Sequence, residues 1–578
     1  MPNVEDATLY YDFVIIGGGI AGVVCAETLC ELIRPSRFGG GGSVDSDQRL
    51  RVALVSATAT VKTTVNLRRI SNMIEAFEVQ ETSGSAWSET WPDILQLIYD
   101  TVSRLDPENR LVYLERRGSS NPIHYGRLCL ATGGLPRLID RDNPFVVALR
   151  DTESLENFQK RLMGTRRLVL IGNGGIATEI AHEVRDCQIV WAVKHTSISA
   201  PFLDPSAAKF ILQAREMALK SVPTEACDSG YAMGDGSNSV SIRRMRYVVA
   251  PDPPENTGTK TDLPEPRLLL VPADANQPSD VPQTGPNSVG AALGPDWAHG
   301  RLLRGQLRDD AESQLLKVVY QVQVRRILDH SVVKAENLHV VNPFPAISSN
   351  SSDEAPWPVY VELTNNDVYG CDLVVSAVGV EASFQPNRSA VAVTTDQFFG
   401  APFSLASPSD GGGVLVDDQM QSDVPNVYAA GDCSYANWAW APHWFQMRLW
   451  SQARQMGFQA AKCMFGHSQG EPVVPLDFSF ELFTHVTYFF GFKVVLLGLY
   501  NGQGLDLTSP ECYLLIRVTP NQEYVKCVMR SGRMQGALLI GDTDLEETFE
   551  NLIVNQIDLT HLEDSLLDPN IDLSDYFD

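Results

Sequence analysis

The residues best suited to chemistry crowd together in FVIIGGGIAGVVCAETLC, residues 13–30. Gly17, Gly19 and Gly22 form G-x-G-x-x-G between an apolar run and a helix-like run, which lets backbone close on a pyrophosphate. The helix start adds free N–H groups and partial positive charge for the phosphates. Cys25 and Cys30 lie five residues apart, a spacing that suggests a redox dithiol. On a helix, however, five residues mean about 7.5 Å of rise and about 140° of rotation. Thiols so placed diverge beyond the roughly 7 Å Cα separation a disulfide tolerates, so both are expected to be small apolar residues facing a sheet. A second cradle follows: Gly172, Gly174 and Ala177 give G-x-G-x-x-A, with Glu179 just beyond. A third element, VPNVYAAGDC, ends on Asp432 and Cys433.

Strands and helices must hold these groups. YDFVII reads as a strand, AGVVCAETLCELI as a helix and LRVALVS as the next strand. YGRLCLATGG is an apolar strand running into a Thr-Gly turn. RRLVLIGNGGIATEIAHEV repeats the strand–turn–helix pattern, and QIVWAV is its following strand. Residues 34–49 and about 222–292 are polar, Gly/Pro-rich inserts, and the second is expected to be disordered or loosely folded. VYVELTNNDVYGCDLVVSAVGV reads as a β-meander and MRLWSQARQMGFQAAKCM as a helix. From Val554 the chain carries seven Asp/Glu and no Lys or Arg, an acidic tail. A formal charge of −26 over 578 residues argues against direct nucleic-acid binding. No apolar run approaches a membrane span, no secretory leader is visible, and no Cys-x2-Cys pair points to a metal.

Five motifs occur in a telling order: G-x-G-x-x-G, the Ala-Thr-Gly turn at Thr132 and Gly133, G-x-G-x-x-A, a meander ending in Ala-x-Gly, and Gly-Asp at Asp432. This order resembles the pyridine nucleotide-disulfide oxidoreductase family over about residues 10–470. GNGGIATEI, GPDW, WPVYVELTN, QMRLWSQARQMG, GDTDLEETFENLI and DPNIDLSDYFD extend the likeness, along one branch of the family, to the C-terminus. The resemblance implies an α/β fold with two interleaved Rossmann-like domains, for FAD and NAD(P)H, plus a small α+β C-terminal domain. Residues 10–150 and 386–470 would be the halves of the FAD domain, 151–385 the NAD(P)H domain and 471–578 the C-terminal domain.

The same resemblance implies roles for single residues. Asp432 would hold a ribityl hydroxyl. Glu179 would pair with a cation beside flavin N5, with Lys62 as candidate and Arg68 or Arg69 as rivals. The helix after Asp432 would point its N-terminus at the flavin pyrimidine, with His443 and Trp438, Trp440 and Trp444 nearby, the tryptophans more readily as core. Lys194 stands near the position that discriminates NADH from NADPH, and a lysine there permits a 2′-phosphate.

The chain also departs from the family. Relatives carry their disulfide after the second strand, where this chain reads SATATVKTTVNLRRISNMI without cysteine. The catalytic His-Pro is missing, since His467, His485 and His561 precede other residues, and Ser56 replaces the usual ribose-binding acid. The expectation is therefore an FAD-dependent NAD(P)H oxidoreductase with a non-disulfide acceptor. The alternative is a redox-responsive binding protein with little turnover. The closer branch implies residence in cytoplasm and nucleus, oxidative-stress protection, and a tRNA ligase complex as protein partner.

Overall fold

The computed structural model describes residues 9–34, 50–118, 121–149, 152–220, 240–249, 268–272, 302–307, 315–344, 356–382, 403–407, 411–571 and 573. The insert at 34–49, beyond Arg34, and the GPDW motif lie outside the described residues.

Continuous apolar runs become parallel strands buried on both faces. In the first sheet β1 (Leu9–Ile16) lies between β2 (Val52–Ser56) and Ile123–Leu130, and Leu95–Tyr99 flanks β2. Val427–Ala429 returns from far along the chain to pair with Ile123–Leu130. Helix α1 (Ile20–Ile33) covers this sheet and is crossed by helix Trp450–Ser468. The crossing is close because Gly457 has no side chain: a methyl there would lie 2.3 Å from the Ala21 oxygen. Cys25 and Cys30 are free thiols with no exposed surface, as small apolar residues against a sheet should be.

The second sheet has the order Val146–Val147, Leu373–Ser376, Arg167–Ile171, Gln188–Val193, Leu315–Tyr320, all parallel. The expected meander is only partly formed: Val359–Leu363 and Val368–Cys371 make a separate antiparallel layer with the preceding Val324–Leu328, whereas its last strand, Leu373–Ser376, joins the parallel sheet instead.

The C-terminal sheet is antiparallel and seven-stranded, and it corrects the reading of the long insert as loosely folded throughout. Ser241–Val249 and Leu268–Pro272 are strands, and the first pairs with Cys512–Thr519, from Ser241 opposite Val518 to Met245 opposite Leu514. Sparse apolar periodicity hid them, because they borrow their ladder from an edge far away in sequence. The acidic tail is likewise anchored: Leu559, Leu562, Leu566 and Leu567 are buried, and Glu563 pairs with Arg244 of the insert strand at 2.9 Å. No helix of the described residues is long and apolar enough to cross a membrane.

A buried ion pair ties the second domain to this sheet. Lys526 Nζ lies 2.6 Å from Asp204 Oδ2, with both side chains at most 2% exposed, and 2.7 Å from Asn501 Oδ1. Asp204 also accepts from the Ser206 and Ala207 amides at the start of helix Pro205–Lys220. Burial pulls the Asp204 carboxyl up, but the Lys526 ammonium and these hydrogen bonds prevail and hold it below the usual carboxylate range. Nearby, His485 is buried beside Phe202, its Nδ1 3.2 Å from Ser451 Oγ, and burial pushes its pKa down to about 4. His182 is lowered to about 4 by burial and by Arg185 and Arg215.

Removing one partner of the pair strands a buried charge, so Lys526→Met should cost about 3–5 kcal/mol in denaturant unfolding. Lys526→Met combined with Asp204→Leu should recover part of the loss. The histidines add a pH dependence. An unfolded histidine titrates near 6.5, so between about pH 6.5 and 4 the unfolded chain binds more protons than the native one. Thermal stability should therefore fall as pH drops through that window, and more gently in His485→Gln.

Candidate functional site

The first cradle forms where three strands end together. Gly17 N–H donates to Val55 O at 2.8 Å, and Ala131 N–H to Ile16 O at 2.8 Å. The chain therefore turns directly over the carbonyl of Ala131. Gly17 has φ +123°, and a methyl on it would lie 2.1 Å from Ala131 O, so only glycine fits. A methyl on Gly22 would lie equally close to Gly17 O, at 2.0 Å. Gly19, the N-cap of α1, has nothing within 4 Å of an added methyl, and no side chain caps the helix. Open space before uncapped N–H groups is what a pyrophosphate needs, so these residues fit a dinucleotide.

The second cradle repeats the joint. Gly172 has φ +135° with Ala377 O 2.0 Å from an added methyl, and Ala377 N–H donates to Ile171 O at 2.7 Å. Gly174 caps helix Gly175–Glu183 without a side-chain bond, and Ala177 is fully buried. Glu179 lies on the same helix, 6% exposed. Asn173, between the two glycines, holds the loop after Gln188–Val193: its Oδ1 accepts from Ser199 N–H at 2.6 Å, and its Nδ2 faces Ser197 O and His195 Nδ1. Lys194, at the end of that strand, is exposed.

Asp432 lies in the short turn Gly431–Cys433, close to the Thr132–Gly133 turn: a methyl on Gly134 would be 3.4 Å from its Oδ2. Cys433 is fully buried and donates to Leu130 O at 3.3 Å; burial pushes its pKa up to about 11, moderated by Thr132. Arg448 braces this turn. Its guanidinium donates to Asp432 O at 3.2 Å, Val380 O at 3.2 Å and Gly412 O at 2.9 Å, and it is 6% exposed. Burial lowers its pKa while Asp432 opposes that shift.

Where relatives would carry a disulfide, the chain builds a hairpin, β3 (Thr60–Arg69) and β4 (Glu75–Ser83). Lys62 enters it with its N–H on Gly18 O at 2.9 Å, and its Nζ lies 4.0 Å from Glu81. Arg69 is exposed and faces Glu75 at 3.6 Å, and Arg68 is exposed. The hairpin tip is gripped by Glu550 of helix Glu546–Asn555, which accepts from Ser71 Oγ and from Met73 N–H at 3.1 Å. Ser56 turns its hydroxyl to Thr58 O at 3.0 Å.

His443 faces the C-terminal sheet, with Nε2 3.3 Å from Gln535 Oε1, and burial lowers its pKa. The tryptophans form a core cluster: Trp438 stacks on Trp444 at 5.8 Å and Trp440 meets it edge-on at 5.5 Å. Sequence reasoning passed over Asn173, Arg448 and Glu550. Only Asn173 carried a local signal, a polar residue inside the glycine turn. The partners of the other two are distant in sequence.

A family model described as pyridine nucleotide-disulphide oxidoreductase matches residues 11–221 and 301–457. Pyridine nucleotide-disulfide oxidoreductase domain-containing protein 1 of Mus musculus is 40% identical over 571 residues, covering 98% of each chain. Among solved structures, a ferredoxin reductase from Rhodopseudomonas palustris aligns with TM-score 0.56 at 16% identity, over 98% of this chain and 99% of that one. A water-forming NADH oxidase from Lactobacillus brevis, bound to NADH, aligns with TM-score 0.53 at 13% identity, over 98% and 95%. With two phosphate cradles built to one plan and a match spanning most of its length, the chain belongs to the pyridine nucleotide-disulphide oxidoreductase family, and its cofactors are FAD and NAD(P)H.

Proposed function

We propose that this chain oxidises a reduced nicotinamide dinucleotide by hydride transfer to FAD and delivers the electrons to an acceptor other than a disulfide. One observation carries the reading: both cradles are present, while the segment after β2 is a cysteine-free hairpin and all nine described cysteines are free and buried. Bound FAD supplies a two-electron acceptor for the hydride. The chain's own residues bind and orient. The uncapped starts of α1 and Gly175–Glu183 take the two pyrophosphates. Asp432, braced through its carbonyl by Arg448, receives a ribityl hydroxyl. Glu179, buried at the second cradle, is placed beside the reacting face, with Lys62 as the candidate cation and Arg68 and Arg69 as its rivals. The solved neighbours include a reductase for ferredoxin and an oxidase that forms water, which fits a fold not tied to disulfide chemistry.

A second reading has its own observation. The β3–β4 hairpin starts beside the first cradle at Lys62 and ends in the grip of Glu550, so one element joins the cradle to the C-terminal domain. In this reading flavin reduction alters the surface offered to a protein, a tRNA ligase complex being the partner the family likeness implies. Cytoplasmic and nuclear residence and oxidative-stress protection belong with it.

Anaerobic stopped-flow with NADH and NADPH separates the readings. The oxidoreductase should bleach its flavin rapidly and regain colour quickly with oxygen or a quinone. A reduced complex that air reoxidises slowly would favour the binding protein instead. Cys25→Ser with Cys30→Ser should leave the reduction rate unchanged, and a large loss would restore the dithiol. Glu179→Gln should slow reduction on the order of tenfold, about 1.4 kcal/mol of barrier, with FAD content intact. An unchanged rate removes Glu179 from the site.

A further inference from the structure

The stripe that seats helix Pro205–Lys220 on the C-terminal sheet runs on past the packed region. Phe210, Ala214 and Met217 recur at i, i+4 and i+7, along one face of the helix. Phe210 packs against Phe492 and Tyr524, with ring centroids 5.5 and 5.9 Å apart, and Ala214 is buried. Met217, at the outer end of the stripe, is 55% exposed. It meets the turn between strands Cys512–Thr519 and Glu523–Arg530. Asn521 sits in that turn with φ +61°, a left-handed conformation that asparagine tolerates, and its Nδ2 lies 3.1 Å from Met217 Sδ. A thioether sulfur has no proton to give, so it accepts and the amide N–H donates.

Other methionines differ in burial or in partner. Seven of those described are at most 5% exposed, and the sulfurs of Met447 and Met456 face donors at 3.6–3.9 Å inside the core. Met163 is 63% exposed, and no donor among the described residues reaches its sulfur. Met217 thus combines an open path for a small oxidant with a fixed donor from another part of the fold.

We infer that Met217 is an oxidation site at which hydrogen peroxide strengthens the tie between the second domain and the C-terminal sheet. The sulfur lone pair attacks one peroxide oxygen, an S–O bond forms as the O–O bond breaks, and the other oxygen leaves as water after taking the remaining proton. The sulfur is oxidised by two electrons and the peroxide reduced by two. A weak acceptor becomes a sulfoxide, whose oxygen accepts strongly. The flexible side chain lets that oxygen turn to the Asn521 N–H. A sulfoxide in a core disrupts packing, but here the new polar atom lands at a wet surface beside a donor. A methionine sulfoxide reductase, drawing two electrons from thiols, restores the thioether. The start of the helix is held by Asp204 and Lys526 and its middle by Phe210, so oxidation acts on the last turns. The inference goes beyond the oxidoreductase reading, because added peroxide suffices for the chemistry.

The test treats full-length protein with hydrogen peroxide, measures sulfoxide at each methionine by peptide mass spectrometry, and follows amide hydrogen exchange over residues 214–217. Met217 and Met163 should oxidise at least about tenfold faster than the buried methionines, since susceptibility follows exposure. Exchange over 214–217 should then slow about threefold, the scale of one hydrogen bond made stronger at a surface, and the reductase should reverse it. Met217→Leu should still form the Met163 sulfoxide yet show no slowing. Asn521→Asp and Asn521→Gly both suit the left-handed turn and remove the donor, so Met217 should oxidise in them without slowing exchange. The proposal is overturned if Met217 oxidises as slowly as the buried methionines, or if exchange in the oxidised wild type is unchanged or faster. Slowing that persists in Met217→Leu or in both Asn521 variants would overturn it equally.

Discussion

Both nucleotide folds turn on the same steric joint, a glycine with positive φ lying against the carbonyl of an alanine that ends a neighbouring strand. Gly17 meets Ala131 and Gly172 meets Ala377, at nearly the same hypothetical methyl distance, and each alanine donates its N–H back to the isoleucine before the glycine. Any side chain at these glycines would collide with backbone, which cannot swing aside as a side-chain end can. The joint brings a helix start to the end of a parallel sheet and leaves its amides open. The cradles, the Asp432 turn and the loop held by Asn173 all depend on that placement.

Features set by neighbours in sequence were legible before any coordinates. FVII, VALVS, RLVLI and QIVWAV are apolar but for one end residue in the last three, because their strands are buried on both faces, and they became the central strands of two sheets. The glycine spacings located both joints, and helix geometry alone ruled out a Cys25–Cys30 bond. Pairs whose members lie hundreds of residues apart were not legible. Nothing local in ISNMI announces that Glu550 will hold its amides, and Lys526 shows no sign of Asp204. Arg448 is a sharper case, because its partners are backbone carbonyls, which leave no mark on the residue types around them.

The hairpin after β2 ties the segment beside the first cradle to distant parts of the chain. Two strands stand there, and their tip reaches the last helix, where Glu550 holds it. Thr484 Oγ1 bonds Met73 O and Arg454 pairs with Glu75, so the segment is stitched to the last domain and to the helix Trp450–Ser468. Those contacts are polar and specific, and the segment they hold is a cysteine-free ladder.

The strand Ser241–Val249 has a consequence for how the molecule is made. It emerges from the ribosome well before Cys512–Thr519, the strand it pairs with. Leu268–Pro272 can cover one edge early, but until then the other has no native ladder, and such an unpaired edge is a site for wrong pairing. The surrounding chain is rich in proline, glycine and polar residues, which discourages premature sheet formation during that interval. The composition that made this region look structureless thus also keeps a waiting strand out of trouble during translation.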